Sequence, residues 1–95
     1  MLAFEWAQEK SRVNSEKHGV TFEEASSVFY DEYALQFFDD MHSEDEDRFF
    51  MLGVSNKLRI LVVIHCVAEG GGIIRIISAR KATARERQHH EGPKP

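Results

Sequence analysis

The sequence predicts an α+β domain, in which two N-terminal helices pack on a mainly antiparallel sheet of four to five strands and a helix closes the C-terminal end. Three observations carry this reading. Residues 7–29 hold two helix-forming stretches interrupted by Gly19-Val20. Residues 34–78 hold four runs of strand length joined mostly by hairpin-sized links, too short for parallel crossovers. The chain has 95 residues, enough for one modest core between one helix layer and one sheet, so residues 1–95 are read as a single domain.

The elements follow in order. Leu2–Trp6 is a short aromatic stretch, either a strand or a lead-in. Ala7–His18 is rich in helix formers, and Gly19 supplies a left-handed stop. Thr21-Phe22-Glu23-Glu24 has the capping-box spacing, with the Thr21 hydroxyl placed for the Glu24 amide and the Glu24 carboxylate placed to reach back. Phe22, Ala25, Val28 and Phe29 then form an apolar stripe at helical spacing. Ala34–Phe38 is a brief strand. Arg48–Val54 is a second, with Arg48, Phe50, Leu52 and Val54 on one face and Phe49, Met51 and Gly53 on the other.

Ser55-Asn56-Lys57 is hairpin-sized and leads into Leu58–Val67, the most apolar segment. Leu58, Ile60, Val62, Ile64 and Cys66 share one of its faces; Leu61 and Val63 lie on the other, with Arg59 and His65 outside them. Apolar residues on both faces place it centrally in the sheet. Residues 69–72 form a turn and Ile73–Ser78 the last strand. Ala79–His90 reads as a helix carrying Arg80, Lys81, Arg85 and Arg87, and 91–95 as a frayed tail.

Charge is unevenly spread. The net charge is −4, but residues 1–56 carry −9 and residues 57–95 carry +5. One basic pole suits a polyanion and one acidic pole a different partner. Residues 39–47 hold six acids in nine. That run reads as a solvated loop, a surface facing a basic partner or, least favoured, a divalent-cation site. The single cysteine, Cys66, sits in an apolar run and reads as a core thiol in a reducing compartment. With no secretory pattern at the N-terminus and no apolar run of bilayer length, a cytoplasmic protein without membrane contact is expected. Gly70–Gly72 lacks the ending of a phosphate-binding P-loop, and no zinc-ligand spacing is present.

Phe4-Glu5-Trp6, Lys10, Asn14, Lys17-His18-Gly19-Val20, Phe22-Glu23-Glu24-Ala25 and Val28-Phe29 together resemble the opening of the BrnT toxins. The resemblance continues through His42-Ser43, Glu46, Arg48-Phe49 and Gly53. It ends with Ile74-Arg75-Ile76-Ile77-Ser78-Ala79-Arg80, Ala82, Glu86 and Arg87, so it spans roughly 4–90. It implies a RelE-like fold and the toxin half of a bacterial type II toxin–antitoxin pair, an endoribonuclease that cleaves RNA and inhibits translation and growth. It further implies an antitoxin with a ribbon-helix-helix DNA-binding domain, in a hetero-oligomer expected to be a heterotetramer, that reaches operator DNA only through the antitoxin. Two positions depart from the pattern: Ala7 stands where members have Asp after the Trp, and His90 stands where Glu-Arg-x-x-Tyr would place Tyr. These departures leave a second reading, an inactive toxin-like protein that docks its antitoxin as a corepressor.

RNA cleavage without metal or cofactor needs a base for the 2′-hydroxyl, cations for the phosphorane and an acid for the leaving 5′-oxygen. His18, His42 and, at the divergent position, His90 are candidates for proton transfer. Arg48, Arg75 and Arg80 are candidates for the phosphate, because the guanidinium fork binds its oxygens bidentately. Lys17, Lys81, Arg85 and Arg87 are candidate RNA contacts. Rival structural roles are an Arg48–Asp47 pair, an Arg80–Glu86 pair and a helix-terminal position for His18. A metal-dependent nuclease is the remaining, least favoured alternative.

Overall fold

Five strands form one sheet in the computed structural model, which describes residues 2–43, 46–68 and 70–90. They are β1 (Ala3–Glu5), β2 (Leu35–Phe38), β3 (Arg48–Val54), β4 (Ile60–Val67) and β5 (Ile73–Lys81), in the spatial order β1-β5-β4-β3-β2. The β2–β3, β3–β4 and β4–β5 pairs are antiparallel, as links of nine, five and five residues, too short for a parallel crossover, require. β1 alone is parallel, pairing Phe4 with Ile74 after the helices carry the chain across the sheet.

Helices α1 (Gln8–His18) and α2 (Phe22–Ser27) lie between β1 and β2 in the chain. Gly19 ends α1 at φ +69°, and its N–H bonds the Ser15 carbonyl. The expected stripe splits: Phe22 and Ala25 of α2, with Val28 of the 3-10 turn that follows it (Val28–Tyr30), are buried with Val20 against Leu61, Val63, Ile76 and Ala79 of β4 and β5. Each large side chain fully buried here contributes about 1.5–3 kcal/mol. Phe4, Trp6, Phe29 and Met51 seal the edge of this layer. Asn14 joins α1 to β5, its carboxamide donating to the Val20 and Ala79 carbonyls (2.8 and 2.9 Å) and accepting from the Ala79 N–H (3.1 Å). β1 pairs with β5 only over Ile73–Arg75, so at Ala79 the Asn14 amide takes the place of a neighbouring strand.

Several expectations are corrected. Thr21 caps α2 by accepting from the Glu24 N–H (3.0 Å), but the Glu24 carboxylate does not reach back. It is buried and receives Arg59 Nε (2.9 Å), Arg59 Nη2 and Ser55 Oγ (2.7 Å). A buried carboxylate needs a full cationic partner more than the cap needs a second bond. The reciprocal box forms instead at Thr83 and Glu86, opening α3 (Ala84–Arg87). Leu58 is not in β4: it sits exposed at φ +60° in the turn that the Leu58 N–H closes onto the Ser55 carbonyl.

β5 runs three residues past Ser78, which shortens the C-terminal helix to one turn and puts Arg80 and Lys81 on a strand. Pairing of Ala79, Arg80 and Lys81 with Val63, Val62 and Leu61 outweighs their helix propensity. His65 is nearly fully buried rather than peripheral, in contact with Phe29 and Phe49 at 4.7 and 5.6 Å between ring centroids. The acidic stretch is more than a solvated loop. Asp39 is buried, and a single 3-10 turn covers Asp40–His42; Glu44 and Asp45 lie outside the described residues. So does the expected tail, 91–95.

Candidate active site

Strand alternation puts β3, β4 and β5 residues that point away from α1 and α2 into three cross-strand rows. They are Arg48–Cys66–Arg75, then Phe50–Ile64–Ser78, then Leu52–Val62–Arg80. Phe37 and Leu35 of β2 extend the second and third rows. Neighbouring strands lie ~4.8 Å apart, so Arg48 and Arg75 flank Cys66 at ~10 Å between backbones, within reach of one bound group. Arg80 lies two rows on, ~13 Å along the strand by the usual rise. A β-bulge between Ile64 and His65 adds Ile77 to this face.

Arg48, Cys66, Arg75, Ile77, Met41, His42 and Glu46 line one cleft of about 360 Å³. Arg75 is paired with Glu46, which keeps the guanidinium charged and offsets part of its field without occupying every donor. The expected Arg48–Asp47 pair is not what holds Arg48. Its Nε is buried and has no hydrogen-bond partner among the described residues. Such a buried orphan costs about 1–3 kcal/mol, so Nε leaves the cleft to the terminal guanidinium nitrogens. His42 contacts the buried Asp39 carboxylate through Nδ1 at 3.0 Å. Because an ionised carboxylate only accepts, this contact puts the neutral ring's proton on Nδ1 and leaves Nε2 to exchange a proton. Ser43 Oγ tightens the same turn by donating to the Asp39 carbonyl and accepting from the Arg48 N–H (2.9 Å).

Arg80 makes the pair with Glu86 that its position in the chain suggested, through Nη1 and Nη2 at 2.7 and 2.9 Å. That fork, with burial acting against it and the Thr83 N–H adding to it, holds the Glu86 carboxyl at about 2. Glu86 therefore stays ionised and fixes the plane of Arg80. Arg80, Glu86 and His89 wall a second cleft of about 250 Å³ over Phe50, Leu52 and Val62, with Phe37 opposite.

The other sequence-derived candidates lie elsewhere. Lys17 and His18 end α1, on the helix-covered side and near the end of the sheet where Arg59 Nη2 bonds the Gly19 carbonyl (3.0 Å). Lys81 and Arg87 line a shallow hollow with Leu58 and Arg59, and Arg87 Nη1 donates to the Ala82 carbonyl (3.0 Å). Arg85 is exposed on α3. The His90 side chain is buried with Nε2 at 2.7 Å from the buried Asp31 carboxylate. Burial raises the Asp31 pKa, but bonds from the Val54 and Tyr33 N–H groups and from His90 outweigh it, so the carboxyl sits below its ordinary range. His90 is thus a tie between the C-terminal turn and the segment that leads into β2. Burial pushes His65 below its ordinary pKa against a weak contact with the Val63 carbonyl, which keeps it a neutral core ring. Among the described residues no three His, Cys, Asp or Glu side chains gather to hold a metal ion. Nor is any described helix long and apolar enough to cross a membrane.

Sequence reasoning missed Asp39 as the residue orienting His42, Glu46 as the partner of Arg75, and the row through Cys66. The row was encoded in the short β3–β4 hairpin, which fixes Val54 opposite Ile60 and so Arg48 opposite Cys66.

A family model for the ribonuclease toxin BrnT of type II toxin–antitoxin systems matches residues 6–86. The chain belongs to the BrnT family. Membership implies an antitoxin partner and, at the level of the family, ribonuclease activity. Among solved structures, the crystal structure of the Brucella abortus ribonuclease toxin BrnT is similar to this chain with a TM-score of 0.65 and 25% identity. The match covers 87% of this chain and 99% of that one. No curated protein sequence matches the chain. His90 of this BrnT-family chain lies beyond the matched residues and makes a buried pair with Asp31.

Proposed function

We propose that the chain is a metal-independent endoribonuclease whose active site is the sheet face carrying Arg48, Arg75 and Arg80. The observation that carries this reading is the Arg48–Cys66–Arg75 row opening onto the same cleft as the Asp39-oriented His42. A phosphate held between Arg48 and Arg75 gains two forked donors as it becomes a dianionic phosphorane. His42 Nε2 takes the proton from the 2′-hydroxyl as that oxygen attacks phosphorus. The P–O5′ bond breaks, a proton from His42 or water reaches the leaving oxygen, and the products are a 2′,3′-cyclic phosphate and a 5′-hydroxyl. Arg80 contacts a neighbouring phosphate, while Lys17, His18 and His90 stand outside this face and Lys81 and Arg87 line a separate hollow.

The fold is read as RelE-like, and the cellular outcome as cytoplasmic RNA cleavage that inhibits translation and growth. The antitoxin is read as a ribbon-helix-helix protein that neutralises the toxin in a heterotetramer. Expression without antitoxin tests the whole: growth arrest relieved by Arg75→Ala, with RNA cut by the purified chain in EDTA, is expected. A folded chain that binds its antitoxin but neither arrests growth nor cuts RNA would establish the corepressor reading instead.

A further inference from the structure

The second cleft lies on the same sheet face as the arginine row, and apart from Arg80 none of its lining residues takes part in the cleavage chemistry. Its floor is Phe50, Leu52 and Val62, its outer wall is Phe37, and its inner wall is the Arg80–Glu86 fork with His89. At about 250 Å³ it is smaller than the ~300–1,000 Å³ of a drug-sized site, a scale that suits one flat heterocycle. Phe37 is about half exposed although it is a large aromatic on an edge strand. An exposed aromatic ring beside a guanidinium is the arrangement by which proteins hold unpaired bases.

We infer that this cleft is a nucleobase subsite, in which one unpaired base of single-stranded RNA stacks on Phe37 beside the Arg80 guanidinium while its phosphate lies toward the arginine row. The inference rests on the ribonuclease reading above and deepens it by naming the substrate class. Glu86 has the role of locking the Arg80 plane, since both its oxygens are engaged by that guanidinium. The ~13 Å between Arg75 and Arg80 places the stacked base near, rather than at, the scissile phosphate. The subsite therefore sets which bond is cut without taking part in cutting it. A basic or apolar protein segment is the competing occupant, but the cleft's continuity with the cationic rows favours nucleic acid.

The experiment measures binding of a short single-stranded oligoribonucleotide, 2′-O-methylated so that it cannot be cut, to the full chain. Phe37→Ala is expected to weaken binding about tenfold, the loss of one stacked base. Phe38→Ala is the control: Phe38 neighbours Phe37 on the same edge strand but packs on Phe49 from the opposite face, and its loss is expected to leave binding unchanged. Phe37→Trp is expected to retain affinity and to lose indole fluorescence as RNA is added. With cleavable RNA, Phe37→Ala is expected to redistribute the cut positions. Equal affinity and identical cut positions for wild type and Phe37→Ala would overturn the subsite, as would Phe37→Ala releasing the antitoxin while RNA binding holds. Because the probe cannot be cut, binding that depends on Phe37 without any cleavage of ordinary RNA overturns only the ribonuclease reading. Cleavage with binding independent of Phe37 overturns only the subsite.

Discussion

Asn14→Ala removes the side chain that stands in for a missing strand. Asn14 makes three hydrogen bonds, one with Val20 and two with Ala79, and all three are buried. At about 1 kcal/mol each the direct loss is about 3 kcal/mol, and the Ala79 N–H and carbonyl are left facing the bottom of α1 without partners. Against a total stability of about 5–15 kcal/mol for a domain of this size, that is a large share. It corresponds to a fall in Tm of roughly 12–24 °C, at 4–8 °C per kcal/mol for a domain of up to about 100 residues. Urea titration checks it: the midpoint should fall while the slope stays constant. Asn14→Asp should be no better, because a carboxylate cannot donate to the Val20 and Ala79 carbonyls. A loss below about 0.5 kcal/mol in Asn14→Ala would refute the reasoning, since it would mean water satisfies Ala79 as well as the amide does. Arg80 follows Ala79 directly, so the same variant is expected to lower RNA cleavage even at temperatures where it stays folded.

Three further outcomes are expected. A Cβ at Gly53 would come within 2.8 Å of Val28 Cγ1, 3.0 Å of Ala34 Cβ and 3.1 Å of Asp31 Oδ2, so Gly53→Ala should cost about 1–3 kcal/mol by calorimetry. Leu58→Gly should instead stabilise by about 0.5–1 kcal/mol in the same assay, because it relieves the left-handed strain at φ +60° and exposes no core. Glu86, whose carboxyl is lowered from 4.5 to about 2, binds more protons in the unfolded chain across that window. Its contribution is complete above pH 4.5 and is lost as pH falls through about 2, so acid titration of Glu86→Gln should show a shallower decline than wild type.

The sheet was legible in the sequence where pattern and register agree. β3 appears over the residues its alternation marked, and the apolar stripe begun in α2 is core because period and burial coincide there. Local propensity failed where a distant partner decided the outcome. Ala79–Lys81 look helical until Val62 and Val63 are placed beside them, and Glu24 looks like a cap until Arg59 arrives from 35 residues away. The arginines were legible as candidates because the guanidinium fork suits phosphate, and Arg75 more so because it stands between Ile74 and Ile76. Their grouping was less so, since it depends on strand register across two hairpins. His18 was legible as a helix terminus but not as lying on the covered side, and His90 carried no sequence signal that it is spent on Asp31.

The central claim is that cleavage belongs to the open sheet face. Single-turnover cutting of single-stranded RNA in EDTA by wild type, Arg75→Ala and His18→Ala tests it most directly. Arg75→Ala is expected to be about 10²–10³-fold slower and His18→Ala to match wild type. A His18→Ala loss as deep as that of Arg75→Ala, or Arg75→Ala cutting at the wild-type rate, would contradict it.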